Sequence, residues 1–392
     1  MEKAPSNIQI PMRYYIIAGE HSGDMHGADL IRAIQSVDHH ADFWCCGGSA
    51  MSQAMGRRCN VDGSKMAYMG IDFLKKWYTL WQLLKFCQKS LKHYQPAVVL
   101  LIDYSGFNMR LAAFAKQNGF LVHYYIPPKI WAHGRKRIAK IKQNVNQIWS
   151  ILPFEAAYYR AQGYHTIDYV GNPLIQKVAN HTINPFFRAE NRLDHRPIIA
   201  LLPGSRLGEI QRLLPRMVAQ AAHFKGHQFV VAGLSMMPKR LYEALCPPTV
   251  QIVYDQTYDL MAAAKVAVVA SGTASLEAAL FNLAQIVVYK LHPLAHFFYK
   301  SIITVDYISL VNLLMDHPVI PELIQYQLTD KNLYATLTKL LSGNARAKQQ
   351  AVYPTVRRLL SSKNGVATAA KCIVSQAKQF LQTQRNHGKK IG

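Results

Sequence analysis

The sequence predicts an α/β protein of two doubly wound parallel-sheet domains that face a cleft, with a helical C-terminal tail. Three observations lead there. Short runs that are apolar throughout alternate with segments of helical spacing, as expected for strands covered by helices on both faces. The alternation breaks at a polar stretch, roughly 176–196, and then begins again. Several apolar runs also end in turns rich in Gly, Ser and acidic residues. Ligands of doubly wound sheets bind just beyond the carboxyl ends of the strands, so these turns should line the cleft.

The elements follow in order. "RYYIIAGE" (13–20) is the first strand with its turn, and "HGADLIRAIQSV" reads as the next helix. "DFWCCGG" (42–48) is the second strand, and "AVVLLID" (97–103) is a buried one followed by helical "FNMRLAAFAKQNG". "LVHYYIP" (121–127), "QIWSILP" (147–153) and "IDYVGNP" (167–173) complete the first series. The second series is "IIALLPGSR" (198–206), "QFVVAGL" (228–234), "VQIVYD" (250–255), "VAVVASGT" (266–273) and "AQIVVYK" (284–290). These runs set the expected domains at 1–173 and 174–345, with C-terminal helices over 346–392 packing back on the first domain or on a second copy.

The chain has 392 residues, half of them hydrophobic and only 17% charged, so it can build sizeable cores and is not disordered by composition. Its net charge of +23 points to an anionic partner: nucleic acid, anionic lipid or a phosphorylated substrate. The six cysteines form no C-x-x-C pair and no zinc spacing, which suits reduced thiols of a cytoplasmic protein. The N-terminus does not read as a signal peptide, and no stretch is apolar for long enough to span a bilayer. No P-loop, G-x-G-x-x-G or H-E-x-x-H motif occurs, so P-loop ATP hydrolysis, dinucleotide oxidoreduction and zincin chemistry lack their usual signals.

Two turns of the second series suit a diphosphate. In "LLPGSR", Gly204 and Ser205 lead into a helix at Arg206, whose guanidinium stays ionised and matches phosphate oxygens in a fork. In "VVASGTASLEAALFN", Ser271, Gly272 and Thr273 stand where a helix begins and its free N–H groups attract anions. Glu277, one turn further in, is placed to accept hydrogen bonds from a ribose diol. The bland alternative at each is a capped helix with solvated charges. In the first series, Glu20, Ser22 and Asp24 follow the first strand, and Asp103 ends another. An acid at a strand end, facing a cleft, suits a general base, although capping the next helix is the commoner duty of such a carboxylate.

"AGEHSGDMHGADLI", "IDYSGFN", "LPFE", "YVGNPL", "LLPGSRLGEI", "ASGTASLEAAL", "VVYK", "VDYISLVNLL" and "PELIQ" occur in this order from about residue 14 to about residue 325. Together they closely resemble the lipid-A-disaccharide synthases, inverting glycosyltransferases with two Rossmann-like domains (the GT-B fold). The resemblance implies transfer of diacylglucosamine from UDP-2,3-diacylglucosamine to 2,3-diacylglucosamine 1-phosphate, giving a β(1→6) disaccharide 1-phosphate and UDP, with no cofactor or metal. It implies Asp103 as general base for the acceptor 6-hydroxyl and Glu20 as a second residue needed for activity. It places Arg206 and Asn312 at the UDP or donor site, with Ser271, Gly272 and Thr273 on the diphosphate. The chain departs from the family at three places. The family often reads Asp-Ala-Pro-Asp-Phe-Asn, with a second acid where this chain has Gly106. Its Trp-Ala-Trp becomes Trp131-Ala132-His133, and its Ser-Leu-Pro-Asn becomes "SLVN" ending at Asn312.

Both implied substrates are acylated, so the work should take place at the anionic inner-membrane surface by a peripherally bound protein. "DFLKKWYTLWQLLKFCQKSLKHY" (72–94) fits that need. At helical spacing Phe73, Trp77, Leu80, Trp81, Leu84 and Leu91 share one face, with Lys75, Lys85, Lys89 and Lys92 away from it. The alternative is an amphipathic helix packed on its own domain. "PKIWAHGRKRIAKIK" (128–142) adds a second basic patch, and "LHPLAHFFYKSI" (291–302) is expected to extend the apolar surface. Within the fold, the rivals are a UDP-N-acetylglucosamine 2-epimerase and a paralogue with another acceptor. From another class, the charge suggests a nucleic-acid binder, but no RNP motif, KH loop or zinc finger supports one, and no nucleic-acid partner is expected. The resemblance is compatible with a homodimer through the C-terminal region.

Overall fold

The computed structural model describes residues 11–63, 73–132, 134, 136–291, 306–361 and 363–388. The chain divides into two compact units, one of residues 1–172 with 363–392 and the other of 173–362.

The first unit holds a seven-stranded sheet. Its strands are β1 (Arg13–Ala18), β2 (Asp42–Gly47), β3 (Val61–Asp62), β4 (Val98–Ile102), β5 (Val122–Tyr125), β6 (Gln147–Ser150) and β7 (Ile167–Tyr169). Their order is β3-β2-β1-β4-β5-β6-β7, and every neighbouring pair is parallel. β4 is buried end to end and β1 is buried from Tyr14 onward, which is why both read as apolar runs. Tyr15 and Trp44 stack across β1 and β2 with ring centroids 4.1 Å apart, anchoring one face of the core.

The second unit holds β8 (Ile198–Leu202), β9 (Gln228–Gly233), β10 (Gln251–Tyr254), β11 (Ala264–Ala270), β12 (Ala284–Tyr289) and β13 (Glu322–Ile324). The order is β10-β9-β8-β11-β12-β13, again all parallel. Both sheets are therefore wound outward from their middle. The winding reverses between β1 and β4 in the first and between β8 and β11 in the second. β3 and β13 escape a sequence reading because two or three residues carry no periodicity. They pair only because a longer neighbour offers its edge.

The C-terminal residues divide between the units. The helix Ala345–Leu360 belongs to the second unit, whereas Gly365–Gly388 returns to the first and packs on the helix His21–Gln35. The return explains a glycine in "YVGNP". Gly171 has φ +104°, and a Cβ there would lie 2.3 Å from the Lys363 carbonyl oxygen. Asn172 beside it donates from Nδ2 to the Ile151 carbonyl at 3.0 Å. The polar stretch at 176–196, where the alternation breaks, includes the end of the short helix Leu174–Ala179 and the helix Phe187–Glu190.

Candidate active site

The turns that leave β1 and β4 meet at the first reversal point. Ala18 and Ile102 are register partners, so Gly19-Glu20 and Asp103-Tyr104 leave the sheet side by side. The approach is close: a Cβ on Gly19 would come to 2.5 Å from Cδ1 of the Tyr104 ring. Asp103 and Tyr104 both adopt the left-handed conformation, with φ +46° and +43°. Two consecutive non-glycine residues in that region store about 1–3 kcal/mol each, held only where the surroundings impose it.

The imposing groups are visible. Asn108 donates from Nδ2 to the carbonyls of Ile102 at 3.1 Å and Asp103 at 2.8 Å, and the Tyr124 hydroxyl also donates to the Asp103 carbonyl. Burial pushes the Tyr124 phenol well above its ordinary range, and the neighbouring Asp103 carboxylate adds to the shift. Asp103 itself is half-buried. Arg137 donates to Ser105 Oγ at 3.1 Å across the same turn. Tyr104 is likewise raised, first by burial and then by the charge of Glu20. Glu20 occupies the N-cap position of the helix His21–Gln35 in extended backbone, and its side chain makes no cap bond there. The structure thus brings Glu20 and Asp103 to one end of one sheet.

Asp24 does the commoner carboxylate work. It is 5% exposed and accepts N–H bonds from Gly48, Ala50 and Met51, which caps the helix Ser49–Met55. Gly106 is exposed with no atom within 4 Å of a would-be Cβ, so the family's acid at this position would fit. Beside the site, Glu155 is fully buried and holds the loop before Arg137. It accepts from Trp131 Nε1 at 2.9 Å and Ser150 Oγ at 2.5 Å, and burial raises its carboxyl above the usual range. That makes Trp131 part of the scaffold. His133 lies outside the described residues.

The second reversal point carries the opposite chemistry. Leu202 and Val269 are register partners, so the Pro203–Arg206 turn and the Ser271–Thr273 turn lie next to each other. Gly204 has φ +102°, and a Cβ on it would sit 3.5 Å from that of Ala270. Arg206 is the N-cap residue of the helix Leu207–Val218, with its side chain 65% exposed. Ser271 donates from Oγ to the Ile308 carbonyl at 2.9 Å, which ties this turn to the residues just before the helix Leu310–Met315. Gly272 is in open space and Thr273 is exposed. Glu277 accepts from the Tyr258 hydroxyl at 2.7 Å. Burial, reinforced by Glu277, lifts the Tyr258 phenol out of its usual range.

Asn312 behaves differently from a ligand-facing residue. It is fully buried, and its whole amide is used. Nδ2 donates to the Ile320 carbonyl and to Glu322 Oε1, both at 2.8 Å, while Oδ1 accepts from the N–H groups of Val319 at 2.9 Å and Ile320 at 2.8 Å. Glu322 in turn accepts from the backbone of Ile308 and Ser309. In this structure Asn312 holds the loop to which Ser271 is bonded.

The helix Phe73–Tyr94 also departs from its expected orientation. Leu80 and Leu84 pack against the core and Leu91 is fully buried, so that face is turned inward. The large residues left outside are Tyr78 (62% exposed), Trp81 (53%) and Phe86 (51%). Lys85 Nζ sits 5.7 Å from the centroid of Trp81, and Lys89 is exposed beside it. Lys92 lies over the Phe114 ring of its own unit. The side chains of Phe73, Lys75 and Trp77 fall outside the described residues, as do all residues of "LHPLAHFFYKSI" after Leu291.

Sequence reasoning passed over Tyr104, Tyr124, Asn108, Glu155 and Glu209. All but Tyr124 lie within the quoted motifs, and Glu209 carried a further signal as an acid three residues after a helix N-cap. Among the described residues no group of three or more His, Cys, Asp or Glu is arranged to hold a metal ion, and no helix is long and apolar enough to cross a membrane.

The family described as lipid-A-disaccharide synthetase matches residues 14–377. The lipid-A-disaccharide synthase of Syntrophus aciditrophicus (strain SB) is 36% identical over 85% of this chain and 89% of its own length. That of Myxococcus xanthus (strain DK1622) is 33% identical over 93% and 97%. Among solved structures, UDP-GlcNAc 2-epimerase from Neisseria meningitidis bound to UDP-GlcNAc superposes with a TM-score of 0.63 at 13% identity, covering 94% of this chain and all of that one. A glycotransferase of kitacinnamycin superposes with a TM-score of 0.64 at 14% identity, covering 94% and 99%. At such identities these two speak for the fold alone, which is GT-B-like.

Proposed function

The chain belongs to the lipid-A-disaccharide synthetase family of glycosyltransferases, and on that premise we propose a division of labour between its two reversal points. The reaction joins the 2,3-diacylglucosamine unit of a UDP donor to 2,3-diacylglucosamine 1-phosphate, forming the β(1→6) disaccharide 1-phosphate and UDP. Asp103, with Glu20 beside it, serves the acceptor in the first unit. Arg206, with Gly204, Ser205, Ser271, Gly272 and Thr273, serves the donor diphosphate in the second, and Glu277 serves its ribose.

The observation that carries this reading is the pairing of register partners Ala18 with Ile102 and Leu202 with Val269. One pair launches two carboxylate-bearing turns, and the other launches an arginine-bearing glycine turn beside a second helix start. In the reaction the acceptor O6 attacks the donor C1 as the C1–O bond to the diphosphate breaks, with inversion. The proton of the 6-hydroxyl passes to Asp103. The charge that develops on UDP is taken up by the Arg206 guanidinium and by N–H groups of the two turns. Asn312 acts one step back, by fixing the 306–309 segment to which Ser271 is bonded.

Tyr78 and Trp81, flanked by Lys85 and Lys89, suit the headgroup region of an anionic membrane, with rings at the acyl boundary and ammonium groups outward. This smaller outward patch replaces the full helical face as the proposed docking surface.

The test is direct. Purified protein receives both lipid substrates in mixed micelles, and disaccharide and UDP are followed by mass. Wild type should form product, and folded Asp103→Ala should lose about 10²–10⁴-fold in rate. Activity in both would keep the enzyme and remove Asp103 from the base role. Sedimentation with vesicles containing phosphatidylglycerol checks the docking patch. Trp81→Ala with Lys85→Ala should bind several-fold less, and equal binding would dismiss the patch.

A further inference from the structure

The turn proposed for the diphosphate already holds an anion. Glu209 stands three residues beyond the N-cap Arg206, and its side chain folds back over the glycine turn. A Cβ on Gly204 would lie 2.5 Å from Glu209 Oε2. Glu209 Oε1 is 3.7 Å from the Arg206 guanidinium. The charges of Arg206 and Arg212 and the backbone N–H groups of Arg206 and Ser205 all act to lower the Glu209 carboxyl. Burial raises the Glu209 carboxyl above the usual range, against the pull of these donors.

An acid at this helical position commonly reaches back to the N-cap N–H, so part of the seat is ordinary capping. The rest is not. The carboxylate covers the glycine at the point where a strand–turn–helix presents its N–H groups to phosphate. It also pairs with the arginine that the donor needs. Two anions cannot share those donors without repelling each other at close range.

We propose that Glu209 is a positioning residue for donor binding: its carboxylate is the resident counter-anion of the Arg206 turn, displaced when the diphosphate arrives and restored as UDP leaves. This rests on the reading that the Pro203–Arg206 turn takes the diphosphate. The device keeps the turn folded and its arginine oriented between turnovers. It also lowers affinity for UDP, which favours product release.

Glu209→Gln keeps the reach to the N-cap N–H and removes the charge. Titration calorimetry of the full-length protein with UDP, and with uridine as a phosphate-free control, reads the effect. The variant should bind UDP roughly tenfold more tightly and uridine as wild type does. In turnover, donor KM and kcat should fall together as UDP release slows. Glu209→Ala, which removes cap and charge together, should also bind UDP more tightly whatever happens to its melting temperature. A UDP affinity equal to or weaker than wild type in both variants overturns the proposal and leaves the donor site standing. Wild-type protein that binds uridine but gains nothing from the diphosphate overturns the diphosphate reading and this proposal with it.

Discussion

The two sheets share one architecture and reverse at equivalent places, yet their reversal points solve different problems. At the first, the chain bends through Asp103 and Tyr104, which are not glycines and sit in left-handed backbone. At the second, it bends through Gly204, where the same region costs little. On the proposed reading the first turn aims a side chain. Asparagine and tyrosine clamp its backbone and a tyrosine ring is laid on Gly19, so the strain is held. On the same reading the second turn presents backbone N–H groups, and a residue without Cβ leaves them accessible. Side-chain delivery calls for a held conformation, and backbone delivery calls for an empty one.

After Asp103→Ala, the largest expected effect sharpens that contrast at the second turn. Arg206→Ala removes the positive charge proposed to face the donor while leaving the glycine bend intact. It should reduce kcat/KM by about 10²–10³-fold, with product formation measured by mass at saturating acceptor. A change smaller than fivefold would mean that the backbone turn, not the arginine, carries the charge stabilisation.

Asn312→Ala comes next, and it separates binding from scaffolding. The substitution strips four hydrogen bonds from a buried amide and leaves Glu322 and the carbonyl of Ile320 short of partners. A loss of about 3 kcal/mol in stability is expected, seen as a fall in Tm of roughly 6–12 °C by calorimetry. An unchanged Tm with weakened UDP binding would make Asn312 a ligand residue and not a support.

The smallest effect belongs to the first turn. Gly106 lies in the opening turn of the helix Ser105–Gln117, exposed and with room for a side chain. Gly106→Asp should stabilise the unit by about 0.5–1 kcal/mol, read as a modest rise in the denaturant midpoint, with activity within threefold of wild type. A large change in activity would show that the family's second acid takes part in proton transfer and that Asp103 does not act alone.

Much of this molecule was legible before any coordinates. Wholly apolar runs such as "AVVLLID" and "IIALL" identify buried parallel strands, because a strand covered on both faces has no polar alternation to show. The Gly-Ser-Arg and Ser-Gly-Thr turns, and the acids of "AGE" and "LID", were readable because each follows such a run directly. The nine motifs in order identified the family. These are local properties, set by neighbours in the chain.

Tertiary structure alone decided the rest. Strand order brought Glu20 beside Asp103 and Arg206 beside Ser271, although each pair is separated by dozens of residues, because pairing is fixed by the sheet and not by the chain. Asp24 became a cap for a helix that starts 25 positions later, and Asn312 became a fully bonded support, because hydrogen bonds go where burial leaves groups without water. The apolar face of the helix Phe73–Tyr94 turned inward, because helical spacing shows that a face exists but not what covers it. The seat of Glu209 over Gly204 depends on the handedness of one glycine, which only the folded turn reveals.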